Sequence, residues 1–251
     1  MDGGAFPTLL VIITMFFAGG ASGAGSGVAG SFLAAAMLAG FIVLGVGMTF
    51  LVSRLLSATV LKGVPSSFVL ELPPYRRPQI LKVIVRSIFD RTLFVLGRAV
   101  LAAAPAGLLI WLAANVRMGD RTILSCLSGM LDPFAGMLGM DGTILLAFIL
   151  GLPANEIVIP IMIMGYLAQG NLTGFHDANA LKQLLVQNGW TWVTAVSTML
   201  FSLMHWPCAT ACMTVRRETG SIKWTAAAFL IPTITGIIVC FLFHSIVLIF
   251  D

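Results

Sequence analysis

One carboxylate stands inside a long apolar run whose middle is interrupted. Glu156 lies in segment 145–167, which the sequence Gly151-Leu152-Pro153-Ala154-Asn155 breaks just before it. A carboxylate at membrane depth costs roughly 2.5 to 3.5 kcal/mol on insertion scales, so it normally faces a cavity, a protein interior or an ion. We therefore expect Glu156, with Asn155, to line a transport path or coordinate an ion. The structural alternative is that Glu156 caps the positive end of a half-helix.

A second group of donors surrounds a proline in segment 191–213. The sequence His205-Trp206-Pro207-Cys208 is followed one helical turn later by Cys212. Proline frees a backbone carbonyl, and imidazole and sulfur donors suit a divalent transition metal. Cys208, His205 and Cys212 are therefore candidate ligands, against the alternative of a buried apolar cysteine and a hydrogen-bonded histidine.

The remaining histidine and cysteine pattern is weaker. Cys240 and His244, four residues apart in the last apolar segment, share a helical face, but no broken backbone accompanies them. Three of the four cysteines lie in or near predicted spans, so they do not indicate a disulfide framework.

The composition requires that membrane helices position these residues. Hydrophobic residues make up 59% of the chain and charged residues 10%, and the mean hydropathy is +1.02, which excludes a water-soluble domain. The sequence predicts an all-α, polytopic helical membrane protein, because a span needs roughly 20 apolar residues. A shorter apolar segment covers 6–18, and the predicted full spans are 30–52, 93–116, 191–213 and 224–249.

Charge sets the expected topology. The net charge of +4 comes from basic residues in segments flanking the spans, so we interpret it as a cytoplasmic signal rather than a nucleic-acid one. Segments 54–98 and 216–223 are then cytoplasmic and loop 117–141 lies outside. This requires segment 143–167 to enter and leave on one side, as a re-entrant gate hairpin. The alternative is one kinked span with a hidden crossing in 170–188.

Two shorter helices are expected outside the spans. An amphipathic helix after Pro78 is predicted to lie on the inner membrane surface, in contact with anionic lipid. Asp177 is predicted to cap an outer helix over 178–187. The sequence contains no phosphate-binding GxxxxGK[ST] motif and no HExxH, GxSxG or CxxC signature, so no enzyme is expected.

Three stretches resemble the membrane region of ferrous iron transport protein B (FeoB), in the order of that family. They are GVPSSFVLELPPYRRP at 63–78, GLPANEIVIP at 151–160 and HWPCATACMTVRRETGSIKW at 205–224. The resemblance implies Fe(II) uptake across the bacterial cytoplasmic membrane, with Fe(II) as substrate and no tightly bound cofactor. It places Glu156 at the acidic residue of the second gate, and Cys208 at the cysteine after proline in a C-terminal membrane domain.

The resemblance also implies a division of the chain. The first region, residues 1–53, contains the end of the first gate, around Phe6-Pro7-Thr8-Leu9-Leu10, and one span. The second region, 54–91, is a cytoplasmic proline-rich loop and amphipathic helix. The third, 92–168, contains a span and the second gate, and the fourth, 169–251, is the C-terminal membrane domain. Pro153 and Asn155 depart from the commoner Ala-Lys-Glu form of the gate.

Members of the family carry an N-terminal GTPase domain and a first-gate cysteine, both missing from this sequence. The alternatives at this point are a fragment, a mis-assigned start or one half of a split transporter. GTP would then act only through a missing domain or partner: an N-terminal GTPase and first-gate polypeptide, or a small accessory subunit, in a homo-oligomer or hetero-assembly. The competing functions are a non-transporting gate-type membrane scaffold and a transporter of a nucleoside-like organic solute.

Overall fold

The computed structural model describes residues 5–17, 28–59, 94–119, 121–167 and 178–250. In these ranges the chain is helical, which confirms the predicted all-α class, apart from a two-residue antiparallel pairing of β1 (Arg117–Met118) with β2 (Arg121–Thr122). The helices are α1 (Ala5–Phe16), α2 (Val28–Ala58), α3 (Phe94–Asn115), α4 (Ile123–Met137), α5 (Gly142–Leu150), a 3₁₀ turn (Asn155–Ile157), α6 (Val158–Leu167), α7 (Ala178–Gln187), α8 (Trp192–Met204), α9 (Ala209–Thr219) and α10 (Ile222–Phe250).

Long apolar helices frame the molecule. Within the described residues two helices are long and apolar enough to cross a membrane, Gly30–Ala58 of α2 and all of α10, and α4 with α5 makes a third if the bent pair is one span. Large apolar side chains such as Phe32, Phe50 and Ile249 are exposed on α2 and α10. Such faces suit contact with lipid, and the chain is a membrane protein as predicted.

Two predicted segments differ from the structure. Loop 117–141 contains helix α4, whose first turn is capped by the Thr122 hydroxyl accepting from the Ser125 N–H at 3.2 Å. The predicted continuous span 191–213 is two helices, because α8 ends at Met204 and α9 begins at Ala209. Pro207 lies between them and removes a backbone donor, which is the physical reason for the interruption.

The buried core joins mainly the short helices. Most of its fully buried side chains come from α1, α5, α6 and α8, such as Leu9, Phe148, Met162 and Phe201, and α10 contributes Cys240. Helix α1 contacts α8 and the 3₁₀ turn, and α6 contacts α5. The segments that carry the candidate donors are therefore held by protein rather than by lipid.

A polar network fixes the sharp bend between α4 and α5, whose axes differ by 108°. Asp132 accepts the Gly142 N–H at 2.6 Å, and Asp141 caps α5 by accepting the Ile144 N–H at 2.7 Å. The Tyr166 hydroxyl donates to Asp141 at 2.5 Å and accepts from the Trp190 indole N–H at 2.7 Å. This chain of bonds ties the bend to α6 and to the start of α8.

The helix predicted over 178–187 is confirmed as α7, and its position on the outer side stays a prediction. Asp177, the amphipathic helix after Pro78 and the basic stretch 60–93 lie outside the described residues. The re-entrant course of 143–167 stays a prediction, because the structure contains no membrane.

Candidate functional site

The first helix break separates α5 from α6. Helix α5 ends at Leu150, and Gly151 serves as its C-cap, with its N–H donating to the Ala147 carbonyl at 2.8 Å. A Cβ on Gly151 would lie 2.6 Å from Val158 Cγ2 and 2.9 Å from the Ala147 oxygen. The chain can therefore turn this tightly only with glycine, and the predicted break at Gly151 to Pro153 is confirmed.

The two oxygen-bearing residues after this break diverge. Asn155 is buried at 4% exposure, whereas Glu156 beside it is exposed on the surface of the chain. Both belong to the 3₁₀ turn that leads into α6, so Glu156 stands in the first turn of the second half-helix, as the sequence predicted.

The second break separates α8 from α9 and carries the nitrogen and sulfur donors. His205 is the C-cap of α8 and Cys208 is the N-cap of α9. Cys208 Sγ is 3.0 Å from the Thr210 hydroxyl, and Cys212 Sγ donates to the Pro207 carbonyl at 3.7 Å. Both cysteines are half-buried. The predicted one-turn spacing of the two thiols is confirmed.

Aromatic rings enclose His205, which is buried at 7% exposure. Its ring centroid is 5.0 Å from that of Phe148, 5.9 Å from Phe201 and 5.8 Å from Trp206. Its Nδ1 is 2.8 Å from the Ser202 carbonyl. A carbonyl only accepts, so Nδ1 carries a proton and donates in this contact.

The two breaks are bonded to each other. The Ala209 N–H, at the start of α9, donates to the Leu152 carbonyl in the first break at 2.8 Å. On the opposite side, Gly236 of α10 approaches the end of α8 so closely that a Cβ there would lie 3.1 Å from the Met204 oxygen. The tertiary structure thus brings two irregular segments, 57 residues apart at these bonded positions, into one junction.

The two helical segments that follow the breaks lack the side-chain N-cap bond that begins α4, α5 and α8. Helices α4, α5 and α8 begin with side-chain caps from Thr122, Asp141 and Thr191. The segments that begin after Ala154 and Cys208 have no side-chain cap bond. Interrupted backbone in a membrane protein is tolerated where protein or a cavity surrounds it, and such half-helices commonly mark ion or substrate sites.

The predicted ligands do not form a closed metal site within the part of the chain that the structure describes. No group of three or more His, Cys, Asp or Glu side chains there could hold a metal ion. The structure places His205, Cys208 and Cys212 at one break, and Asn155 and Glu156 at the other. The arrangement suits passing contacts with an ion better than permanent coordination.

A cavity of about 600 Å³ lies beside the second break. Its lining includes Met204, His205 and Pro207, together with residues of α2, α9 and α10 such as Met48 and Pro232. The sequence contained no signal for this cavity, because it arises where α2 and α10 pack beside the break. The Asp132 and Asp141 network was also missed, although their spacing before the apolar run 144–150 is a helix-capping signal.

Two family models match the chain. The model for the C terminus of ferrous iron transport protein B matches residues 38–91, and the Gate model, described as nucleoside recognition, matches residues 96–222. The Gate match runs through both helix breaks.

Curated relatives agree with this result. A protein of Staphylococcus aureus named Fe(2+) transporter FeoB is 30% identical over 214 residues, covering 81% of this chain and 30% of the relative. Proteins of the same name from Campylobacter jejuni and Synechocystis are each 26% identical, covering 82% and 71% of this chain. This chain spans about a third of the length of these relatives. No solved structure matches.

Proposed function

This chain belongs to the Gate family and is similar to the membrane region of ferrous iron transport protein B, as its sequence predicted, and on that premise we propose that it forms part of an Fe(II) permeation path. The path would cross the bacterial cytoplasmic membrane. Fe(II) is the transported substrate in this proposal, because the matched relatives are named Fe(2+) transporters.

The observation that carries the proposal is the bonded junction of the two breaks. One break supplies the Glu156 carboxylate and the Asn155 amide, and the other supplies Cys208, Cys212 and His205. A mixed oxygen, nitrogen and sulfur set suits Fe(II) better than Ca(II) or Mg(II), which prefer oxygen alone. An ion that exchanges between such partial sites replaces its hydration shell in steps and is not trapped.

The exposure of Glu156 supports a path completed by a segment outside this chain. Helix α1 contains Phe6 to Leu10, the stretch that resembles the tail of the first gate, and it contacts the 3₁₀ turn that holds Glu156. A carboxylate on the surface of a membrane protein is costly unless something polar covers it. In our proposal the first gate, from the same longer protein or from a partner polypeptide, lies against this surface.

The chain is not proposed to be an enzyme. The matched relatives are named transporters, and moving an ion through a path breaks no covalent bond. Any GTP hydrolysis would come from a GTPase domain or partner, and a small accessory subunit or further copies of the chain would complete the assembly. These partners are part of the proposal.

The organic-solute alternative finds less support in the cavity. The description of the Gate model as nucleoside recognition would suit a pocket with stacking rings and several polar groups. Among the described residues, the cavity lining contains no Phe, Tyr or Trp side chain, and His205 supplies its one ring, beside the hydroxyls of Thr49, Ser53, Ser202 and Thr235. A nucleoside base would find no large aromatic ring to stack on there.

The test is Fe(II) uptake into proteoliposomes under reducing conditions. The chain is reconstituted alone and together with a polypeptide that supplies the GTPase and first gate of a relative. Glu156→Gln and Cys208→Ser are compared with the matched controls Glu218→Gln, on the exposed face of α9, and Cys126→Ser, in α4. We expect the two site variants to abolish uptake and the two controls to retain it.

Uptake that survives both site variants would overturn the proposed path. If neither the chain nor the complete assembly moves Fe(II), while both insert and fold, the scaffold alternative replaces this proposal. Uptake of labelled nucleoside instead of Fe(II) would support the organic-solute alternative.

A further inference from the structure

A second polar cluster lies where the α4–α5 bend meets α8 and α10. Gly139, in the bend, has a φ of +73°, a left-handed conformation that side chains rarely adopt. A Cβ there would lie 2.7 Å from Ser197 Oγ of α8 and 2.8 Å from His244 Nδ1 of α10. The glycine therefore leaves room for a hydroxyl and an imidazole that point toward the same place.

Neither of these polar atoms has a hydrogen-bond partner among the described residues. Ser197 is fully buried, and its Oγ is buried without a bond, as is His244 Nδ1. The two atoms also do not bond to each other. A buried hydroxyl without a partner costs about 1 to 3 kcal/mol, so two such atoms facing one point call for a ligand that joins them.

A thiol lies beside them. Cys240, one turn before His244 on α10, is fully buried, and its Sγ donates to the Ser197 carbonyl at 3.5 Å. Imidazole nitrogen, hydroxyl oxygen and thiol sulfur thus lie at one crossing of α8 and α10. The sequence pattern contained the Cys240 and His244 pair, but Ser197 and Gly139 reach it only through the tertiary structure.

We propose that His244 Nδ1, Ser197 Oγ and Cys240 Sγ form a second binding site for a divalent transition metal. The donor set decides the class of ion: an imidazole with a sulfur neighbour suits Fe(II), Co(II) or Zn(II) and is a poor site for Mg(II) or Ca(II). As the hydrated ion binds, the Cys240 thiol would lose its proton to the water that the ion sheds, and the resulting thiolate would be the strong ligand.

The site lies on the same helix face as the second break. Ser197, Phe201 and His205 are spaced four residues apart, so they share a face of α8, and at 1.5 Å per residue Ser197 is about 12 Å from His205 along the axis. Gly236, Cys240 and His244 of α10 are also spaced four residues apart. They follow α8 in the opposite direction, because Gly236 lies beside Met204 and Cys240 lies beside Ser197. The identification of the bound ion as transported Fe(II) rests on the proposed function; metal binding does not.

The experiment measures Co(II), an air-stable substitute for Fe(II), bound to the purified 251-residue chain in lipid nanodiscs. Equilibrium dialysis with metal analysis gives the number and affinity of sites. The starting protein is the double variant Glu156→Gln, Cys208→Ser, which removes the carboxylate of the first break and one thiol of the second. We expect it to retain one Co(II) site, which His244→Ala weakens by about tenfold or more, since even outer-shell partners of metal ligands cost about 10–100-fold.

Ser197→Ala and Thr198→Ala provide the matched comparison on α8. Ser197→Ala should weaken the retained site severalfold, and Thr198→Ala should leave it unchanged, because the Thr198 hydroxyl donates to the Thr194 carbonyl of its own helix at 2.7 Å. Ser197→Ala removes a single buried oxygen, so it keeps the test decisive even if His244→Ala fails to fold.

Two results would overturn the site: the double variant binds no Co(II), or it binds Co(II) with the same affinity after His244→Ala and Ser197→Ala. The outcome is separable from the proposed function. If the chain binds Co(II) at this site but takes up no Fe(II), only the transport proposal is contradicted. If the chain transports Fe(II) but neither His244→Ala nor Ser197→Ala changes its Co(II) affinity, only the proposed site is contradicted.

Discussion

The two helix breaks carry different donors in different surroundings. The first break exposes Glu156 and is followed by a short 3₁₀ turn. The second holds His205 inside a shell of aromatic rings and keeps its two cysteines half-buried. The difference indicates that residues of this chain pack around the second break, whereas the carboxylate of the first break is left exposed. Loss of the aromatic shell should therefore reduce stability, whereas loss of the Glu156 charge should reduce transport with little change in stability.

The largest effect on stability is expected from Phe201→Ala in the aromatic shell of the second break. Phe201 is fully buried and packs against Phe148 with ring centroids 4.9 Å apart. We expect a loss of about 2 to 3 kcal/mol, the lower part of the range for soluble cores, because lipid removes the water-transfer contribution and leaves the packing contribution. Reversible unfolding in mixed micelles measures it. A loss below about 0.5 kcal/mol would contradict the stabilising role of the shell.

The next effect is expected from Gly151→Ala, which tests how tightly the first break is packed. The added Cβ meets the Ala147 carbonyl, a backbone atom that cannot move aside cheaply. We expect a loss of about 1 to 3 kcal/mol. Gly136→Ala in α4 is the control, since nothing lies within 4 Å of its Cβ, and alanine there should be neutral or stabilising. Equal effects at both positions would argue against a packed first break.

Ala209→Pro tests the bond between the breaks. It removes the N–H that donates to Leu152, yet proline is tolerated at the first helical position, and Cys208 already has the extended backbone (φ −61°, ψ 159°) that proline requires before it. We expect a loss of about 1 kcal/mol in stability and impaired Fe(II) uptake.

Ala209→Gly keeps the N–H and is the matched control for this substitution. Full uptake by the proline variant would show that transport does not depend on the bond between the breaks. The two breaks would then act as separate sites.

The smallest effect on stability is expected from Glu156→Gln, the variant that should most reduce transport. The side chain is exposed, so the free energy of unfolding should change by less than about 0.5 kcal/mol. Unfolding and uptake are measured on one preparation. A loss of about 1 kcal/mol or more with uptake intact would instead support the capping alternative for this carboxylate.

Much of the fold could be predicted from the chain because membrane helices are encoded locally. Segments 30–52, 93–116 and 224–249 are helical as α2, α3 and α10, of which α2 and α10 are long and apolar enough to cross a membrane, and the helix predicted over 178–187 matches α7. Apolar length and flanking residues carry these signals with little help from distant contacts. Helix α4 was missed because its 15 residues are fewer than the roughly 20 that a span needs, and its contacts with α5 hold it in the fold.

The candidate site was predictable in its parts. Proline and glycine beside Glu156 and beside Cys208 identified both irregular segments, because the conformational limits of these two residues act within a few positions. The interruption of 191–213 was underestimated for a related reason: proline can bend a helix or end it, and the packing of α10 against Met204 favours the second outcome here.

What the sequence determined by itself is the class of the protein, the positions of its long helices and the residues able to hold an ion. Only the tertiary structure decided which of those residues meet. The Ala209 to Leu152 bond and the approach of Ser197 to His244 join residues that are far apart in the chain. Asn155 and Glu156 are neighbours, and whether each is buried or exposed depends on which side the rest of the protein packs against. Local propensity extends over a few residues, whereas these contacts depend on how whole helices pack.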